Sequence, residues 1–313
     1  MALLWVPFAG AAYAVRGDPE RLRMLVTLTL LFSFAHQPLT LWLVYGDAAQ
    51  RRSHASLVVW APVVLVLAIA AGTSVRPEVV ALVAGAWNVA HTLRQRYGLC
   101  KLYGRLSAID CGDDNRLLWS WLVLAVIVAF ARIDVSATAR TLGLDTRITT
   151  AFDAATSVHM VIAALLPVAL VVAVVMTARS VRLELRRSTH SLPRLLYLAS
   201  TFALLVLLAV DPIVGFIAYV GAHAAEYFLV VRWRVDRAAE RSVPGDRVGG
   251  LARRVGIRGM LGLYALAVAP LVLMVRVLDQ NAPAVVMLLT IGALHFVFDG
   301  VIWRSPRPAT AGA

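Results

Sequence analysis

Apolar runs of spanning or near-spanning length recur along most of this chain, broken by short segments rich in arginine, glycine and proline. They predict helices near 24–45, 56–73, 78–99, 117–134, 152–178, 194–210, 212–233, 258–277 and 283–303. About 20 apolar residues in a helix cross a hydrocarbon core of about 30 Å. The stretch from Leu195 to Val231 is too long for one span, and Asp211-Pro212 divides it. Proline lacks a backbone donor and turns its predecessor away from helix, so a tight helical hairpin is expected there. The run from Ala2 to Val15 has no basic segment ahead of it and reads as an uncleaved short or interfacial segment. The pattern as a whole predicts an all-α, polytopic membrane helix bundle. It has nine spans, or ten if residues 2–15 also cross, in a single membrane domain over residues 1–313.

Composition places the chain in the same class. It is 60% hydrophobic and 15% charged, with a mean hydropathy of +0.77, far from a soluble domain. The net charge of +12 does not indicate nucleic acid. No nucleic-acid-binding motif is present, and the basic residues cluster in the turns, where they orient a membrane protein and meet anionic lipid. Most of the 30 lysines and arginines fall on one side of the predicted layout. The positive-inside bias puts that side, with the C-terminus, in the cytoplasm of a multi-pass cell-membrane protein. The longest polar stretch, 232–258, reads as a flexible basic cytoplasmic loop beside membrane headgroups. Cys100 and Cys111 lie in or beside another loop on that side and read as two reduced thiols.

Within this layout four histidines share a depth. His36, His91, His223 and His295 lie eleven to thirteen residues in from Met24, Glu78, Pro212 and Pro283, the expected outer ends of their helices. At about 1.5 Å per residue their depths differ by only about 3 Å. Ionisable groups at such depth are costly and mark functional sites. Neutral imidazole suits iron, zinc or copper, and helices of a bundle can present such ligands to a metal. Packing or hydrogen bonding is the alternative for any single one of them.

Each histidine has polar neighbours three or four residues away on its own helix. Glu226 follows His223, Asp299 follows His295, Asn88 and Gln95 flank His91, and Ser33 and Thr40 flank His36. A ligating imidazole passes its other N–H to a carboxylate, amide or carbonyl. Glu226 and Asp299 are therefore expected to orient the ligands, with direct ligation by Glu226 left open, and Asn88 and Gln95 to form outer contacts. The aromatic residues nearby, Tyr227 among them, are expected to pack individually, and together to offer room for an apolar molecule. Arg94 and Arg96, near one end of their span, are expected to snorkel toward headgroups.

A histidine-bound metal in lipid suits oxygen chemistry on an apolar substrate, since dioxygen and such substrates both enter the bilayer. In size, polytopic layout and its four intramembrane histidines, the chain resembles the bacterial membrane-bound β-carotene dioxygenases of the Brp/Blh type. The resemblance covers most of the chain in outline. The surroundings Phe34-Ala35-His36-Gln37-Pro38, His223-Ala224-Ala225-Glu226-Tyr227 and His295-Phe296-Val297-Phe298-Asp299-Gly300 are not assigned to that family. The resemblance implies Fe(II) held by His36, His91, His223 and His295, and a substrate cleaved to retinal. The expected partners are thus dioxygen, an apolar lipid-like molecule and membrane lipid, without nucleic acid. Another transition metal, a haem electron carrier and a proton- or cation-coupled transporter are the competing readings. The orientation is directly checkable: a fluorescent protein fused to the C-terminus should fluoresce and an alkaline phosphatase fused there should be inactive. An active phosphatase reverses the topology.

Overall fold

The computed structural model describes residues 1–132, 159–241, 247–277 and 282–302. Twelve helices account for nearly all of them, and no strand occurs among the described residues. In chain order they are α1 (Trp5–Val15), α2 (Pro19–Gly46), α3 (Ala48–Ser53), α4 (Ala55–Val75), α5 (Pro77–Arg105) and α6 (Gly112–Arg132). There follow α7 (His159–Ala164), α8 (Leu166–Leu185), α9 (Leu192–Val210), α10 (Pro212–Arg241), α11 (Arg247–Val277) and α12 (Ala282–Ile302).

Seven helical stretches are long and apolar enough to cross a membrane: Pro19–Gly46, Ala55–Val75, Gly112–Arg132, Ile162–Leu185, Leu192–Val210, Pro212–Arg237 and Pro283–Val301. The other two expected spans, 78–99 and 258–277, are helical within α5 and α11 but are not among those seven. The expected segment 152–178 begins outside the described residues, and the helix there continues to Leu185.

One departure from expectation has a clear physical cause. The stretch expected as a flexible loop, 232–258, is largely helical: α10 runs on to Arg241 and α11 begins at Arg247, with 242–246 outside the described residues. Val235, Val248, Ala252 and Met260 are buried in one apolar core, and that packing overrides the polar character of the segment. Gly256 breaks α11 with φ +70° and ψ 163°, a conformation that only glycine adopts cheaply. Residues 257–277 then make up the length expected of a span.

The N-terminal helix α1 is short, as expected of the run from Ala2 to Val15. Eleven residues rise about 16 Å, too short to cross a membrane. At one end Arg16 pairs with Asp211 at 3.4 Å. At the other Trp5 Nε1 donates to Ser200 Oγ at 2.8 Å, about half-way along α9. The segment therefore enters beside the α9–α10 turn and stops part of the way in, with Phe8 against Gly221 of α10.

The chain forms two compact units. The first contains residues 1–30 and 81–226, the second 31–80 and 227–313, so the boundary between them falls within α2, α5 and α10. In the first unit α6 packs against α7, α8 and α9. A buried Arg194 ties three of these helices together: it donates to both Asp114 oxygens at 2.6 and 2.8 Å and to Glu184 at 2.9 Å. Cys100 and Cys111 are free and buried here, as expected of reduced thiols. In the second unit α12 packs against α4 and α11, around a core that includes Leu39, Leu43, Val231 and Phe298.

The α9–α10 hairpin turns where Asp211-Pro212 predicts. Asp211 closes α9 by donating its N–H to Leu207 O, and its side chain accepts from Val214 N at the start of α10. A Cβ at Gly215 would overlap the backbone of Leu208 across this turn. Gly215→Ala should therefore lower stability by about 1–3 kcal/mol, read as a lower thermal unfolding temperature in detergent. Gly85→Ala, in open space within α5, should be neutral or slightly stabilising.

Candidate metal centre

Each unit draws two of the four histidines together, all of them buried. In the second unit they are His36 of α2 and His295 of α12, 1% and 0% exposed. Their Nε2 atoms lie 3.1 Å apart, with the rings nearly perpendicular. Pro38 sits two residues beyond His36 and removes an N–H from α2. Tyr264 of α11 donates its hydroxyl to the nearby Ala35 carbonyl, so the weakened turn is supported from outside the helix. Gly292 of α12 leaves space for the Gln37 amide. The segment carrying His36 is thus held by two neighbouring helices.

The other nitrogen of His295 belongs to a compact polar group. Nδ1 lies 2.6 Å from Thr40 Oγ1. Thr40 donates to Asp299 Oδ1 at 3.0 Å, and its oxygen also lies against the Tyr227 hydroxyl. Tyr227 donates to the same carboxylate oxygen at 2.9 Å. Asp299 Oδ2 is 3.8 Å from His295 Nε2. Asp299 is thus beside His295, one helical turn away, while Thr40 stands at Nδ1. Tyr227, expected only to pack, puts its ring 4.9 Å from that of His36 and 5.1 Å from that of His295, and its hydroxyl into the polar group.

In the first unit His91 of α5 and His223 of α10 meet edge to face, with ring centroids 5.2 Å apart, and both are buried. Gln95 donates its amide to the His223 carbonyl at 3.0 Å and to Glu226 Oε2 at 3.5 Å, an outer contact as expected. Asn88 is half-buried and makes no side-chain hydrogen bond with the described residues.

Arg96 overturns the expectation of snorkelling. It is 0% exposed and pairs with Glu226, also 0% exposed, at 3.2 Å. Its Nε donates to Thr201 at 3.2 Å and its guanidinium lies 5.0 Å from the centre of the Tyr197 ring. Tyr197 donates to Glu226 Oε1 at 2.8 Å. A residue on the inner face of α5 has no path to the surface, and a carboxylate on α10 gives it a cheaper partner than headgroups would. Glu226 is therefore occupied by Arg96, Tyr197 and Gln95. Tyr197 and Thr201, which sequence reasoning did not place near the histidines, and Tyr227, expected only to pack there, sit on helix faces whose partners are remote in the chain.

The donor set, buried imidazoles with a carboxylate beside one of them, is of a kind that binds metal ions. Buried histidine and aspartate side chains of this chain could hold a metal ion. Two nitrogens bound to one ion at about 2.0–2.1 Å, with a bond angle near 90–110°, stand about 2.9–3.4 Å apart. The His36–His295 spacing of 3.1 Å falls in that range, and it also fits an N–H···N hydrogen bond.

The chain matches no protein-family model, no curated protein and no solved structure.

The Arg96–Glu226 pair makes a stability prediction. Glu226→Ala should cost about 3–5 kcal/mol, because it strands a buried charge, and Arg96→Met in the same protein should recover most of it. Thermal unfolding of the two single variants and the double variant closes the cycle. Independent, additive losses would show that the two side chains do not interact.

Proposed function

We propose that this protein is a membrane-bound non-haem iron oxygenase acting on an apolar, lipid-like substrate. Carotenoid cleavage to retinal is the reaction its resemblance suggests. His36, His91, His223 and His295 are the proposed iron ligands. The observation that carries the proposal is the His36–His295 pair: two buried imidazole nitrogens 3.1 Å apart, within an apolar helix bundle.

Ferrous iron held by histidine with open positions supplies binding and activation of dioxygen. The chain's own residues contribute placement and exclusion of water. Thr40 and Asp299 hold His295, and Gln95 holds the backbone at His223. Leu39, Leu43, Val231 and Phe298 supply the dry surroundings. Such an interior limits side reactions and strengthens every polar contact within it. Glu226, bound to Arg96 and Tyr197, supports the helix that carries His223.

The competing haem reading would use two of the four histidines to hold a haem iron, and a Soret band in the purified protein would favour it.

Purified protein in detergent should contain iron by elemental analysis, show no Soret band, and consume dioxygen when supplied with an apolar polyene. His295→Ala should lose iron and oxygen uptake together, and Asp299→Asn should weaken iron binding about 10–100-fold. A Soret band, or full oxygen uptake in the His295→Ala protein, defeats the proposal.

A further inference from the structure

Thr40 of α2 lies one turn beyond His36, yet its hydroxyl turns to His295 of α12. Its oxygen is 2.6 Å from His295 Nδ1 and 3.0 Å from Asp299 Oδ1, and it also meets the Tyr227 hydroxyl. All four residues are buried. A threonine hydroxyl has one proton and two lone pairs. Thr40 and Tyr227 both donate to Asp299 Oδ1, which takes the proton of each and leaves none for the contact between the two hydroxyls. With the Thr40 proton committed, the Thr40 oxygen faces Nδ1 as an acceptor, and Nδ1 must carry the hydrogen. In a neutral imidazole a proton on Nδ1 leaves the lone pair on Nε2. That is the atom 3.1 Å from His36 Nε2.

We propose that Thr40 is a positioning residue that fixes His295 in its Nδ1–H form and so turns the Nε2 lone pair toward a metal ion. The role toward a metal rests on the reading of His295 as a ligand; the tautomer rests only on the hydrogen bonds. Asp299 acts through Thr40 in this arrangement: its carboxylate orients the hydroxyl, and the hydroxyl orients the ring. Tyr227 adds a second hydroxyl to the same Asp299 oxygen and keeps the carboxylate in place. Threonine is suited to the position because its branched side chain has few rotamers in a helix.

The test uses the full-length protein in lipid nanodiscs, labelled with ¹⁵N-histidine, metal-free and near neutral pH. The His295 signals are assigned by difference from His295→Gln. Wild type should show the Nδ1–H tautomer at His295. Thr40→Val keeps the branched shape, removes the hydroxyl, and should give a mixture of tautomers. Thr40→Ser should restore the wild-type pattern. Anaerobic titration with Co(II), a spectroscopic probe for the site, should show binding about 10–100-fold weaker in Thr40→Val than in wild type. The serine variant should stay close to wild type. Thr29→Val, which removes another buried hydroxyl from α2, should change neither readout.

An Nε2–H tautomer in wild type overturns the proposal, and that spectrum decides even if the valine variant does not fold. So does a Thr40→Val protein with the tautomer and the Co(II) affinity of wild type. Wild type that shows the Nδ1–H form but binds no Co(II) removes the metal reading, and with it the role toward a metal, while the hydrogen-bond assignment stands apart.

Discussion

A polar side chain inside an apolar helix bundle has no water to bond, so it must find its partner on another helix. That constraint shapes both units of this protein. Arg96 reaches Glu226, Thr201 and the face of Tyr197; Arg194 reaches Asp114 and Glu184; Thr40 reaches His295, Asp299 and Tyr227. Apolar contact alone is non-directional, and between helices in lipid it supplies little net drive. The polar contacts are directional, and each is expensive to break because the group left behind stays buried. They set which face of α5, α9, α10 and α12 points inward. The same constraint makes a site: groups that must be satisfied internally are held rigidly, and rigid, dry donors are what a metal or a reacting molecule requires.

Helix existence was legible in the sequence because it depends on local quantities. Length and apolarity place α4, α6, α9 and α12 close to where they are found, and Asp211-Pro212 marks the turn between α9 and α10 by the chemistry of proline itself. The segment 232–258 was misread because its charge suggested solvent. Its helical structure depends on Val235, Val248 and Ala252 packing against other parts of the chain, which a local reading does not contain. The docking of α1 was beyond reach for a related reason: Trp5 stops at Ser200, a partner 195 residues away.

The histidines were legible through depth, and only partly through pairing. Equal depth is a one-dimensional property that a helical rise converts directly from residue number. Which imidazole faces which depends on the rotation of each helix about its axis, and no count of residues supplies that. The clearest case is Thr40. Spacing makes it a neighbour of His36 on α2, yet its hydroxyl serves His295 on α12. Arg96 shows the same limit from the opposite side. Its position near one end of a span suggested headgroups, but its side of α5 faces α10, and Glu226 is there. In both cases the residue type announced a polar role, and the fold chose the partner.

The two buried polar groups differ in what they leave available. Around Glu226, opposite charges meet: Arg96 brings a full positive charge, and Tyr197 and Gln95 add donors. Such a group is nearly self-contained and chiefly secures the helices that carry His91 and His223. Around Asp299, the donors are neutral hydroxyls, and the carboxylate charge is spread through Thr40 toward His295. A negative charge behind a neutral imidazole raises the basicity of its far nitrogen, as it does wherever a carboxylate stands behind a metal-bound histidine. Under the proposed reading of His295 as a ligand, its environment suits a cation at Nε2, whereas Glu226 is already compensated by Arg96. In the proposed oxygenase the asymmetry gives electronic tuning to the Thr40–Asp299 side and mechanical support to the Arg96–Glu226 side.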